Sequence, residues 1–227
     1  MTLLNFACQH RYPSGFQLDI VFQVDHRFTA LFGPSGAGKS SILAMIAGFA
    51  RPQRGRITLG TEVLLDTGRG ICLPPEKRHV GVVYQDSLLF PHLRVEQNLR
   101  YGLKHRRRRR SVDFARVVEV LEIGQILTRY PRNLSGGERQ RVALGRAILS
   151  GPEILLMDEP LASLDAPLKL RILLYLEQAV AEWDIPAFYV THAQAEVRRA
   201  AQWGVVINRG SLVTTGPPDE VLTRPET

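Results

Sequence analysis

A chain of 227 residues with 44% apolar and 22% charged side chains is long enough to bury a substantial core, and this composition excludes a disordered or collagen-like protein. Lys and Arg outnumber Asp and Glu by 29 to 22, for a formal charge of +7. No apolar stretch is long enough to cross a bilayer and the first residues carry no basic region ahead of an apolar core, so the expectation is a protein made and kept in the cytoplasm.

In chain order, residues 3–7, 16–22 and 28–32 are short, apolar and β-prone and predict strands, and residues 41–47 run apolar at helical spacing. Further strands are predicted at 56–59 and 80–84. Between 86 and 150 the β signal fades, and residues 113–121, with Phe114, Val117, Val118 and Leu121 on one face, predict an amphipathic helix. Strands return at 153–157 and 187–191 on either side of a helical stretch at 168–182, the pattern of a parallel sheet built by right-handed crossovers. Residues 205–215 predict a hairpin turning at Arg209-Gly210. The expected organisation is one α/β domain. Its core comprises 1–85 and 151–227 and includes an antiparallel β portion; a helical subdomain occupies 86–150. Cys8 and Cys72, far apart and near apolar neighbours, are expected as buried thiols. The five arginines at 106–110 leave three readings open, in the order solvated loop, contact with anionic lipid, contact with nucleic acid.

The chemistry concentrates in three places. Gly33-Pro34-Ser35-Gly36-Ala37-Gly38-Lys39-Ser40 spells G-x-x-x-x-G-K-S between a predicted strand and a predicted helix, the context a phosphate-binding loop requires. Glycines let the backbone curl so that successive N–H groups point at phosphate oxygens, and the helix adds its positive end. Lys39 brings a mobile charge to the β- and γ-phosphates, and Ser40 a hydroxyl to Mg²⁺. With Ser41, these residues form the expected nucleoside-triphosphate-binding set. Second, residues 154–157 are an apolar strand ending in Asp158-Glu159; Asp158 suits Mg²⁺, directly or through water, and Glu159 suits the polarising of an attacking water. Third, Leu134-Ser135-Gly136-Gly137-Glu138-Arg139-Gln140 reads as an N-cap with open backbone, able to meet an anion with hydroxyl, N–H groups and helix dipole.

This last segment, lying between the phosphate loop and the acidic strand, resembles the signature sequence of ATP-binding-cassette ATPases. Gln85 after the strand at 80–84, the Ser163-Leu164-Asp165 turn and His192 closing the strand at 187–191 match the same family, so the resemblance covers essentially the whole chain. It implies a P-loop NTPase cassette with a RecA-like core, an antiparallel β subdomain and a helical subdomain. It also implies a head-to-tail homodimer in which Ser135, Gly136 and Gly137 of one subunit cover ATP held by the phosphate loop of the other. Gln85 would touch Mg²⁺ and the attacking water. His192 would sense the γ-phosphate and hold the water-activating geometry with Glu159, and Asp165 would couple the two sites. Family members commonly stack adenine on an N-terminal aromatic residue; Tyr12 and Phe16 are the candidates here, and Tyr12 is favoured.

Chromosome-type cassettes interrupt the motifs with a long coiled coil and ribosome-acting ones usually carry two copies, so a single uninterrupted set favours transport over a nucleotide switch. Residues 86–94 are apolar yet follow a site residue, which fits either a groove for a short helix of a membrane partner or packed core. The stretch 70–78, Leu89-Phe90-Pro91-His92, residues 98–102 and residues 159–165 are similar to the molybdate-import ATPases, with importers of sulfate, iron, polyamines and sugars sharing parts. The resemblance implies an integral-membrane permease and an extracytoplasmic binding protein as partners, no nucleic acid, and a peripheral position on the cytoplasmic face of the inner membrane. Molybdate-import ATPases commonly continue into an oxyanion-binding regulatory domain; this chain stops at Thr227, and no such domain is expected.

Overall fold

The computed structural model describes residues 3–104, 112–162 and 164–222; the arginines at 106–110 and Ser163 lie outside the described residues. In chain order the elements are β1 (Leu4–Arg11), β2 (Gln17–Val24), β3 (Phe28–Phe32), α1 (Lys39–Ala47), β4 (Arg54–Leu59), β5 (Glu62–Asp66), β6 (Ile71–Cys72) and β7 (Val80–Tyr84). There follow α2 (Val95–Lys104), α3 (Phe114–Val120), α4 (Gly136–Leu149), β8 (Ile154–Asp158) and α5 (Ala166–Trp183). The chain ends with β9 (Ala187–Thr191), α6 (Gln194–Ala200), β10 (Trp203–Asn208), β11 (Ser211–Gly216) and α7 (Pro218–Leu222). It divides into two compact units, one of residues 1–79 and 188–227, the other of residues 80–187. Among the described residues no helix is long and apolar enough to cross a membrane.

In the first unit the strand order is β6-β5-β4-β1-β2-β11-β10-β3-β9. Its outer part is antiparallel, with β1 between β2 and β4, whereas β10 runs parallel to β3. The burial patterns differ accordingly. β2 alternates strictly, with Leu18, Ile20, Phe22 and Val24 inward, while every residue of β3 and β9 is buried, as strands covered on both faces must be. Phe22 stacks on both Phe6 and Phe188, tying the antiparallel part to β9. β1 runs four residues beyond its sequence-predicted end because the polar stretch after Ala7 is paired on both sides, Cys8 with Ile20 and Gly55, Gln9 with Asp19 and Arg54. The β10–β11 hairpin turns at Arg209 (φ 44°) and Gly210 (φ 79°), the positive pair a two-residue turn favours.

Arg78 anchors α1 from below. Fully buried, it donates Nη1 to the carbonyls of Met45 (2.6 Å) and Ile46 (3.0 Å) and Nε to that of Leu73 (2.7 Å). A cation on the last carbonyls of a helix satisfies acceptors that have no partner within the helix and complements its dipole. Burial pulls the guanidinium below its ordinary pKa, opposed by the nearby thiols.

The second unit pairs β7 with β8 in parallel and surrounds α4 with α2, α3 and α5. α2 is short and poor in apolar residues, and one of its inward positions is polar. Asn98, fully buried, exchanges hydrogen bonds with Phe90 (Nδ2 to O, 3.1 Å; N to Oδ1, 2.9 Å) and donates to the Leu93 carbonyl. α3 begins with Asp113 accepting from the Ala115 amide, inside the predicted helical stretch.

One sequence expectation fails: Cys8 is buried but Cys72 is exposed. Cys72 sits on a two-residue strand at the edge of the first unit's sheet, paired with β5 alone. Burial pushes the Cys8 thiol up to about 12, only partly offset by the backbone of Ala7 and Arg56 and by Arg78. Thiolate is the reactive form. Iodoacetamide at mildly alkaline pH is therefore expected to modify Cys72 in the folded chain and both cysteines in urea, as read by mass spectrometry; rapid native modification of Cys8 would contradict this assignment.

Candidate functional site

The residues singled out from sequence fall into two sets, one in each unit. In the first unit the loop after β3 curls through Gly36 (φ 79°) and Gly38 (φ 103°) into α1. No side chain caps α1, and a helix start of this kind suits an anionic ligand. The loop is braced from behind. A Cβ on Gly33 would lie 2.2 Å from the Ile207 carbonyl oxygen, and the Gly210 amide donates to the Ala37 carbonyl at 3.1 Å. The β10–β11 hairpin thus holds the loop, and only glycine at position 33 allows that approach.

Lys39 is 5% exposed and its Nζ donates to the carbonyls of Gly33 (2.8 Å) and Pro34 (2.9 Å). The ammonium is already turned back over the loop, where an incoming phosphate can exchange for those carbonyls. Phe16 packs on the loop as well: a Cβ on Gly38 would meet its ring at 3.2 Å. Tyr12, half-buried, is one ring further out, 5.8 Å from Phe16 and edge-on to His10.

His192 follows β9, the strand beside β3 in the sheet, and is exposed. Its flanks are fixed by a buried carboxylate. Tyr189 Oη and Thr191 Oγ1 both donate to Glu196 Oε2 at 2.7 Å, and the Thr191 hydroxyl accepts from the Ala193 amide at 3.0 Å. Glu196 on α6 therefore pins the backbone on both sides of His192. The sequence reading passed over it; its only sequence signal is its place four residues after His192 at the start of a helix.

In the second unit β7 and β8 pair with Tyr84 opposite Asp158. Gln85 and Glu159, the next residue of each strand, therefore leave the same end of the parallel pair, and the structure brings Gln85, Asp158 and Glu159 together. The Tyr84 phenol is raised above its ordinary pKa by burial and then by the Asp158 carboxylate. Glu159 has φ 44°, left-handed backbone that costs an L-residue on the order of 1–2 kcal/mol. Strain of this kind clusters where a side chain must be aimed. In the second unit the Gln85 amide oxygen and the Asp158 carboxylate are hard oxygen donors of the kind Mg²⁺ takes, as is the Ser40 hydroxyl in the first.

Ser135 caps α4 through a complete capping box: its Oγ accepts from the Glu138 amide (3.2 Å) while its own amide donates to Glu138 Oε2 (2.7 Å). Gly136 and Gly137 open the helix, and Gly137 is also required by packing, since a Cβ there would lie 2.6 Å from Leu168 Cδ2. Asp165 has a structural use as well, capping α5 by accepting from the Leu168 amide at 2.9 Å.

The sequence profile of the ABC transporter family matches residues 20–162. The molybdenum import ATP-binding protein ModC of Rhodospirillum rubrum is 48% identical over 217 residues, covering 95% of this chain and 59% of the relative. That of Pectobacterium atrosepticum is 51% identical over 193 residues, covering 85% of this chain and 54% of the relative. The chain thus spans little more than half the length of these relatives. In fold, it is similar to cbiO1 from Clostridium perfringens, with TM-score 0.84, 24% identity and coverage of 99% of this chain and 92% of that one.

The capping box has a measurable pH signature. The Ser135 amide holds the Glu138 carboxyl below its ordinary 4.5, with burial opposing and Arg129 assisting. A carboxyl depressed in the folded state contributes stability above its unfolded pKa and loses it as pH falls through the folded value. Glu138→Gln is therefore expected to lower the urea midpoint near neutral pH, and its gap to wild type to close as pH is taken below 4.5. A gap independent of pH would contradict the ionised cap.

Proposed function

We propose, for a chain that belongs to the ABC transporter family, that it is the ATP-hydrolysing subunit of an importer whose cargo is an oxyanion of the molybdate and tungstate type. The observation that carries the nucleotide part is the braced glycine loop with the Lys39 ammonium folded over it. Half-identity to two molybdenum import ATP-binding proteins along most of the chain supports the cargo.

In this reading the loop residues Gly33, Pro34, Ser35, Gly36, Ala37 and Gly38 wrap the phosphates with backbone N–H groups, and Lys39 neutralises the β- and γ-phosphates. Ser41, in the first turn of α1, extends the anion-binding helix start. Tyr12 stacks on the adenine. Ser40, Gln85 and Asp158 would hold Mg²⁺, which would supply charge neutralisation to the phosphates. Glu159 polarises the water that attacks the γ-phosphorus, with Gln85 contacting that water and His192 holding the arrangement. Ser135, Gly136 and Gly137 of a second copy donate to the γ-phosphate in trans, and Asp165 couples the two sites. An integral-membrane permease on the inner membrane and an extracytoplasmic binding protein complete the importer, with this chain peripheral on the cytoplasmic face.

Glu159→Gln is expected to cut turnover by roughly a hundredfold or more while leaving ATP affinity within about threefold, and to yield an ATP-bound dimer by size-exclusion chromatography. A monomer with normal turnover would exclude the assignment. For the cargo, ATP hydrolysis by the chain reconstituted with its permease and binding protein is expected to rise with molybdate and tungstate and not with sulfate. Stimulation by another solute would retain the transport ATPase and replace the cargo.

A further inference from the structure

Gln85 sits in a turn closed by the Ser87 amide donating to the Tyr84 carbonyl at 3.0 Å. The two residues after Asp86, Ser87 (φ 59°) and Leu88 (φ 41°), both hold left-handed backbone, and neither is glycine. Consecutive left-handed L-residues persist only where the surroundings over-determine them. Burial of Leu88 does not do so, because its side chain is 57% exposed. The restraint comes from α4. Gln140, 3% exposed, accepts from Ser87 Oγ at 2.6 Å, and its Nε2 reaches the Tyr84 carbonyl at 3.5 Å. One and a half turns further on, Arg146 donates Nη1 to the Leu88 carbonyl (2.9 Å) and Nη2 to the Ser87 carbonyl (3.3 Å), with its guanidinium over the Phe90 ring at 5.2 Å. These contacts fall on Tyr84, Ser87, Leu88 and Phe90, in the segment that carries Gln85, and all come from the helix that Ser135 caps.

We propose that Gln140 and Arg146 are positioning residues that clamp this turn in its strained form, so that the placement of Gln85 is tied to that of the signature helix. The proposal rests on the reading of Gln85 as a residue of the ATP-hydrolysing site. Without the clamp, Ser87 and Leu88 relax toward ordinary backbone and Gln85 leaves its place. The phosphate loop, at residues 33–40, holds none of these contacts, so hydrolysis suffers and nucleotide binding does not.

Glycine adopts left-handed backbone without the steric cost, which provides a test that a merely structural role would not pass. Steady-state ATP hydrolysis by the full chain is compared for wild type, Ser87→Ala, Gln140→Ala, their double variant, Leu88→Gly, and Gln140→Ala with Leu88→Gly. Ser87→Ala and Gln140→Ala are each expected to lower kcat by roughly tenfold with KM within about twofold, and the double variant to be no worse than either. Adding Leu88→Gly to Gln140→Ala is expected to recover at least about threefold of kcat. Ser87→Ala is a small change that guards against a misfolded Gln140 variant. Wild-type kcat in both single variants, or a loss that glycine does not relieve, overturns the clamp while leaving the ATPase reading in place. A wild-type chain without ATP turnover overturns the ATPase reading instead.

Discussion

The ammonium of Lys39 rests on the carbonyls of Gly33 and Pro34, almost wholly out of water. A buried cation is tolerated only where such partners are in place, and these two are in place only because the backbone curls back on itself ahead of α1. The curl depends on glycines and on support from three directions. The β10–β11 hairpin presses behind Gly33 and bonds to Ala37, the Phe16 ring lies against Gly38, and Arg78 holds the far end of α1. Much of the first unit is thus organised to keep one short, tightly curled stretch of backbone in a shape suited to phosphate.

The second unit follows a different logic. Parallel pairing of β7 with β8 in a register that sets Tyr84 opposite Asp158 brings three polar residues to one end of two apolar strands. Backbone strain appears beside them, at Glu159, Ser87 and Leu88. Local rules are broken at Glu159, which has a proposed chemical role, and in the turn after Gln85, where hydrogen bonds from α4 hold Ser87 and Leu88, as expected when strain serves positioning.

Several residues carry two duties. Ser135 caps α4 and has a proposed contact with phosphate; Gly137 leaves backbone open and admits Leu168; Asp165 starts α5 and has a proposed coupling role. A substitution at any of them changes packing or capping as well as chemistry, so kinetic and stability effects there have to be separated by measurement.

The sequence by itself determined the parts that rest on local pattern. The phosphate loop between strand and helix, the hairpin at Arg209-Gly210, the largely apolar β9 and the capped start at Ser135 depend on residues within a few positions of one another. Composition, periodicity and turn chemistry act over that range. What the tertiary structure decided lies at longer separations. Cys72 is exposed because β6 falls at a sheet edge; α2 buries the polar Asn98 because a loop satisfies it; the partners of Arg78, Glu196, Gln140 and Arg146 are met only once the chain has folded. A buried polar side chain is stable only with partners, and where those come from distant segments no local pattern reveals them.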